Sequence, residues 1–282
     1  MSVSRYAFGV PSHPRHPPNT CDTVKRMAQI KVGVVGAGGR MGRAVCTAVT
    51  LDPDLELVAA VAPRLAGESH HGLTITGNLR SLADAGCDVV VDFTNADAAR
   101  VTVPWLAMHG VHAVVGTTGF TDADIEAFRS EFSGSNCIIV PNFAISAVLM
   151  MRFAELAAPY FDSAEIIELH HEGKIDAPSG TAVATAKRMA AASEEWTADP
   201  TQHERYPGSR GAAGPAGIRL HSVRMRGVEA HQEVILGAYG QTLTIRQDSY
   251  DNVSYMPGVI LACKHISEHP GLTLGLEAML NM

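Results

Sequence analysis

Between Ile30 and Val140 the chain alternates short, almost wholly apolar runs with stretches that suit helices, and this alternation limits the possible folds more than any other feature. Ile30–Val35, Leu55–Val61, Val89–Val91, Val111–Val115 and Cys137–Val140 have too few polar residues to leave one face of a strand in water. Arg40–Leu51, Ala98–His109 and Asp122–Phe132 read as the helices between them. Strands apolar on both faces, each followed by a helix, predict a parallel sheet covered on both sides.

After Phe143 the texture changes. Ala144–Tyr160 and the alanine-rich Thr181–Glu195 read as helices, with a strand at Glu165–His170 between them. Beyond a Gly- and Pro-rich stretch, four strand-like segments follow with no helix between them: Ile218–Arg224, Gln232–Ala238, Gln241–Asp248 and a short one around Val253. Val259–Ser267 then reads as a helix. The predicted class is α/β: an N-terminal Rossmann-like parallel sheet with a second α+β domain containing a mixed or antiparallel sheet. The expected division is a disordered tail over 1–27, a dinucleotide-binding domain over 28–143, a substrate-binding and oligomerisation domain over 144–254, and a segment over 255–282 that returns to the dinucleotide-binding domain. The tail holds four prolines and four basic residues before Met27, lacks the apolar run of a secretory signal, and makes Met27 an alternative start to Met1.

Composition narrows the class. Apolar residues make up 46% and charged residues 18% of the 282, which is globular. A formal net charge of −7 argues against a nucleic-acid binder. No apolar run reaches the ~18 residues that span a bilayer, so no membrane association is expected. The five cysteines (Cys21, Cys46, Cys87, Cys137, Cys263) stand singly with no C-x-x-C, which reads as reduced thiols of a cytoplasmic protein.

Gly36-Ala37-Gly38-Gly39-Arg40-Met41-Gly42 joins the first strand to the first helix. Such a turn sets backbone N–H groups and the positive helix end against a pyrophosphate, and glycine lets the backbone approach it. The strict G-x-G-x-x-G spacing is not met, because its third glycine position holds Met41 and Gly42 comes one residue late. A tight turn without a ligand is the plainer alternative. The second strand ends in Val61-Ala62-Pro63-Arg64, with no acid to take the ribose hydroxyls of NADH. Arg64 and Arg40 would suit the extra phosphate of NADPH; two solvated arginines are the alternative.

The densest chemical signal runs from Glu168 to Ala182, ELHHEGKIDAPSGTA. Histidine as a residue type titrates near neutrality, so His170 and His171 are candidates to hold or donate a proton, and Lys174 adds a fixed charge or an acid. Ser179-Gly180-Thr181 opens a helix, where N–H groups and hydroxyls form a seat for a carboxylate. Together they suit a small dianionic substrate that accepts a hydride and then a proton. Adjacent histidines without a third ligand make a poor zinc site, so no metal is expected. His70-His71, in a polar loop, is assigned no role.

This segment resembles the signature of the 4-hydroxy-tetrahydrodipicolinate reductases, also called dihydrodipicolinate reductases. Gly36–Gly42, Asp92-Phe93-Thr94, Gly116-Thr117-Thr118-Gly119 and Val140-Pro141-Asn142-Phe143 resemble that family's cofactor segments in the same order. The resemblance spans Gln29 to the C-terminus. It implies reduction of a cyclic dicarboxylate with NADPH or NADH in diaminopimelate and lysine biosynthesis. It makes His170 the catalytic acid/base and Lys174 the proton donor, with His171, Gly180 and Thr181 on the substrate carboxylates. Gly36 to Met41, Gly116 to Thr118 and Val140 to Phe143 would line the dinucleotide. It further implies a homotetramer joined through the second domain's sheet. An aldehyde or amino-acid dehydrogenase with the same first domain, which in the semialdehyde case would need a reactive cysteine, and a non-catalytic dinucleotide-binding regulator are the competing readings.

Overall fold

The computed structural model describes residues 28–282; the expected disordered tail, with Cys21, lies outside the described residues. The chain opens with strand β1 (Ile30–Val35), helix α1 (Arg40–Leu51) and strand β2 (Leu55–Val61). A small hairpin of β3 (Ser69–His70) and β4 (Leu73–Thr74) and a short α2 (Arg80–Asp84) precede β5 (Val89–Asp92). Then come α3 (Ala96–Met108), β6 (His112–Val115), α4 (Asp122–Glu131) and β7 (Cys137–Ile139). The second half holds α5 (Ile145–Ala157), β8 (Ser163–His170), α6 (Gly180–Ala192), β9 (Ala212–Ala213), β10 (Arg219–Arg224), β11 (Ala230–Ala238), β12 (Gln241–Ser249), α7 (Met256–His265) and β13 (Leu272–Leu274).

The first sheet has six strands in the order β13-β7-β6-β5-β1-β2, every pair parallel. Its strands explain their own composition. Val32, Val34, Val89, Val91, Val114 and Ile138 pack with α1 and α7 in one buried cluster. Val35, Val90, Val115 and Ile139 pack on the other face with Val103 and Leu106 of α3 and Phe128 of α4. The interior strands β1, β5, β6 and β7 therefore bury both faces, at roughly 1.5–3 kcal/mol per fully buried aliphatic side chain.

The second sheet is mixed, in the order β12-β11-β8-β10-β9, with β8 and β10 parallel and the other pairs antiparallel. Ile166, Leu220, Val234 and Leu236 face α5 and α6, and they belong to the same buried cluster as one face of the first sheet. One continuous core thus fixes the end of β8 against the first sheet.

Two expectations need correction or addition. The stretch around Val253 is a 3-10 turn (Asn252–Tyr255), not a strand: the Asp251 carboxylate accepts from the Val253 N–H, closing a local turn that competes with strand pairing. β13 has no local signal in the sequence: it is three residues long, and its partner, β7, lies more than a hundred residues earlier. Asn136 staples that return: its amide donates to the Ile266 carbonyl at 2.9 Å, and its oxygen accepts from the Gly271 N–H at 3.2 Å. Asn136→Ala should cost about 1–2 kcal/mol by stranding those backbone groups, measured by urea unfolding. An unchanged midpoint would show that β13 is held by its apolar contacts alone.

Candidate active site

Because the first sheet is wholly parallel, the loops after β1, β5, β6 and β7 all open at its carboxyl edge. The strand order reverses between β1 and β5, which is where doubly wound sheets bind ligands. The glycine turn sits there. Gly36 has φ +82°, and a Cβ on Gly42 would lie 2.1 Å from the Gly36 carbonyl oxygen. Gly42, one residue past the expected spacing, is therefore the glycine that lets α1 close against β1. The N-cap of α1, Gly39, offers no side-chain cap, and no acid lies in the first turn. Its N–H groups are thus left for an anion. A dinucleotide pyrophosphate fits this cradle.

Asp92 organises the next two loops. Fully buried at the end of β5, its Oδ1 accepts from the Thr94 N–H at 3.0 Å, the Thr94 hydroxyl at 2.7 Å and the Thr117 hydroxyl at 2.8 Å. Oδ2 has no partner among the described residues. Burial pushes this carboxyl above its ordinary range, against the pull of the threonine hydrogen bonds.

His170 ends β8, two residues after Glu168, so strand alternation puts both side chains on one face. The fully buried Glu168 carboxylate meets His170 Nδ1. It also accepts both terminal nitrogens of Arg224, each at 2.8 Å, and the Ser179 N–H at 3.2 Å. Burial works to raise the Glu168 carboxyl, but Arg224, Ser222 and His170 outweigh it and hold it below the usual range. Burial lowers His170, with Lys174 and Arg224 acting the same way and Glu168 opposing them. Lys174 is held by both oxygens of Asp176, at 2.7 and 2.9 Å. Ser179 caps α6 by accepting from the Ala182 N–H at 3.2 Å.

Two adjoining cavities meet at this point. One, of about 540 Å³, is lined by Arg40, Met41, Gly116, Thr118, Val140, Pro141, Asn142 and Phe143 from the first half of the chain and by His170, His171, Lys174 and Thr181 from the second. The other, of about 810 Å³, adds Thr117, Ser179, Gly180 and the ion-paired Arg188 and Glu277. Gly36, Ala37, Gly38 and Gly39 form the turn beside them without lining either. Phe143 is almost fully buried and packs on Phe93, with ring centres 5.7 Å apart. Arg64 lines neither cavity; it stands exposed on the turn after β2. The neighbouring Leu65 does touch the glycine loop, its Cδ1 lying 2.4 Å from where a Cβ on Gly38 would be. His70 and His71 lie away from the cavities, His71 beside Thr47 on α1. Sequence alone assigns no individual role to Glu168, Arg224 or Asp176, and places Asp92 only within a cofactor-like segment. Glu168 was findable from its strand spacing to His170; Arg224 depends on the β8–β10 pairing and was not.

Two family models cover nearly all the described residues: dihydrodipicolinate reductase, N-terminus, over residues 30–143, and dihydrodipicolinate reductase, C-terminus, over 146–280. The chain belongs to the dihydrodipicolinate reductase family. Among relatives of this family member, the 4-hydroxy-tetrahydrodipicolinate reductase of Corynebacterium urealyticum is 47% identical over 258 residues, 90% of this chain and 99% of that protein. That of Cutibacterium acnes is 48% identical over 260 residues, with the same two shares. The dipicolinate-bound dihydrodipicolinate reductase from Paenisporosarcina sp. TG-14 superposes with a TM-score of 0.81 at 37% identity, covering 89% of this chain and 99% of that one.

The raised Asp92 carboxyl gives this family member a testable pH dependence. A group whose folded pKa lies above its unfolded value stabilises the fold below the unfolded pKa, near 3.9 for Asp, and loses that contribution as pH rises toward the folded value. Asp92→Asn has no proton to lose. Urea unfolding at about pH 4, 5.5 and 7 should show the stability difference moving in favour of the variant as pH rises. Parallel curves for the two proteins would contradict the assignment.

Proposed function

We propose that the chain reduces 4-hydroxy-tetrahydrodipicolinate to tetrahydrodipicolinate with NADPH or NADH, in diaminopimelate and lysine biosynthesis. One observation carries this reading: His170, Lys174 and the start of α6 line the same cleft as the loops after β1, β6 and β7. A hydride donor held by the first half would face a proton donor held by the second. The dipicolinate on the Paenisporosarcina relative supports a small cyclic dicarboxylate as substrate.

The bound nicotinamide supplies the hydride. Gly36 to Met41 would receive the pyrophosphate, and Gly116 to Thr118 with Val140 to Phe143 would flank the nicotinamide end. The N–H groups of Gly180 and Thr181 precede the first internal bond of α6, so with the Thr181 hydroxyl and His171 they seat a carboxylate. His170, with Nδ1 committed to Glu168, presents its other ring nitrogen to the substrate as acid/base. Lys174 donates the proton that follows the hydride. Addition of hydride and proton with loss of water converts the hydroxylated ring to the product. The same reading makes the protein a cytoplasmic homotetramer joined through the second sheet.

Among the described residues the semialdehyde dehydrogenase alternative finds no nucleophile. Cys46, Cys87, Cys137 and Cys263 are all buried, and burial pushes Cys46 to about 11 and Cys87 and Cys263 to about 12. Cys137, completely enclosed in β7, is raised further still. Thiols so protonated are inert at neutral pH.

His170→Ala and Lys174→Ala should each lower kcat by ~10²–10⁴, the range for a lost acid or base, while NADPH affinity measured by fluorescence titration stays put. Near-normal turnover in both would remove them from the chemistry. The cofactor preference is tested separately. With Arg64 and no acid after β2, NADPH should be favoured over NADH by about tenfold in KM, and Arg64→Ala or added salt should shrink that margin. NADH bound tenfold more tightly by the unaltered protein would overturn the preference but leave the reaction standing.

A further inference from the structure

We propose that Glu168 and Arg224 act together as positioning residues for the reduction: Glu168 fixes the His170 ring, and Arg224 locks Glu168 and the Lys174 loop in one arrangement. The proposal rests on His170 being the acid/base described above.

Glu168 is completely buried, and a buried carboxylate persists only where its charge and lone pairs are met. Arg224 meets them as a fork, one nitrogen on each oxygen at 2.8 Å. The fork comes from β10, whose parallel register sets Ser222 opposite Glu168 and Arg224 opposite His170. The two remaining contacts of the carboxylate are functional in direction. Oε2 meets His170 Nδ1, and Oε1 accepts from the N–H of Ser179, the cap residue of α6. Arg224 also donates from Nη2 to the Asp176 carbonyl at 2.6 Å, and the Asp176 side chain holds Lys174. One ion pair, with its carboxylate buried and its guanidinium partly exposed, therefore ties down the acid/base, the proton-donor loop and the start of the carboxylate seat. Neither member need touch the substrate to control all three.

The geometry also sets a tautomer. With Nδ1–H donated to a carboxylate, the neutral ring carries its lone pair on Nε2, and the charged ring carries a transferable proton there. The charged or titratable groups around His170 are Glu168 on its own strand, Arg224 on β10, His171, Lys174 and Asp176 in the following loop, Arg40 at the start of α1, Glu229 just before β11, His231 on β11, and Tyr255 before α7. Glu168 is the carboxylate in direct contact with the ring, so its charge favours the protonated form that an acid requires.

The test compares Glu168→Gln, which keeps the shape and an acceptor but loses the charge, with Arg224→Lys, which keeps the charge but loses the fork. His170→Ala serves as reference. For Glu168→Gln, kcat should fall by about 10- to 100-fold, with dicarboxylate KM and NADPH Kd within about threefold of the original. The basic limb of its kcat–pH profile should move down by roughly one unit, because the charge that favours protonated His170 is gone. Arg224→Lys should lose roughly five- to twentyfold in kcat with the limb in place. A purely structural role would not move the limb. A Glu168→Gln protein with unaltered kcat and limb, or a loss confined to KM, overturns the proposal while an impaired His170→Ala leaves the site reading intact. Normal turnover in His170→Ala overturns both. Should Glu168→Gln not fold, Arg224→Lys decides, and unaltered kcat there counts as refutation.

Discussion

Six parallel strands impose one direction on every loop that follows them, and the rest of the molecule depends on that constraint. The glycine turn after β1, the Asp92–Thr94 loop after β5, the Gly116–Thr118 loop after β6 and the Val140–Phe143 loop after β7 meet at one edge because no strand of the first sheet runs the other way. Parallel strands need covered faces, and α1, α7, α3 and α4 supply them. The same buried cluster continues under α5 and α6 to the second sheet, so the end of β8 arrives at that edge with His170 on it. The cleft is a consequence of sheet direction and a shared core.

Charge is distributed across the cleft in a way that suits a hydride followed by a proton. The first-sheet side contributes backbone donors, a helix end without a side-chain cap and the exposed Arg40. The other side contributes His170 and Lys174, each already engaged by a carboxylate, Glu168 and Asp176. Those carboxylates hold the His170 ring and the Lys174 ammonium in place before any substrate arrives, which is the preorganisation that makes polar groups effective in catalysis. A dinucleotide-binding regulator would need the first side only. The Glu168–Arg224 pair, whose buried carboxylate is costly to desolvate, has no evident purpose in such a protein.

Most of the architecture was legible in the sequence because burial on both faces leaves a direct trace: Val89–Val91 can only be an interior strand. The candidate site segment was legible for a different reason, since its histidines, lysine and helix cap fall close together between His170 and Ser179. What escaped reading depends on distant partners. Arg224 gains its meaning only from lying beside β8, and β13 only from the free edge of β7 stapled by Asn136. The stretch around Val253 looks strand-like in sequence, but the Asp251 cap imposes a turn. Gly42 broke the expected spacing on paper, yet its contact with Gly36 shows that close packing of α1, not the count between glycines, is the requirement.

On the proposed function, the two halves meet around a cyclic dicarboxylate and a reduced nicotinamide. The most direct measurement is NADPH oxidation by the purified chain in the presence of the precursor generated in place from pyruvate and aspartate semialdehyde. Oxidation should require the generating system and yield tetrahydrodipicolinate in equal amount. Pyridine-2,6-dicarboxylate should inhibit it in competition with the precursor. No oxidation by folded, NADPH-binding protein, or oxidation indifferent to the precursor, would contradict the account.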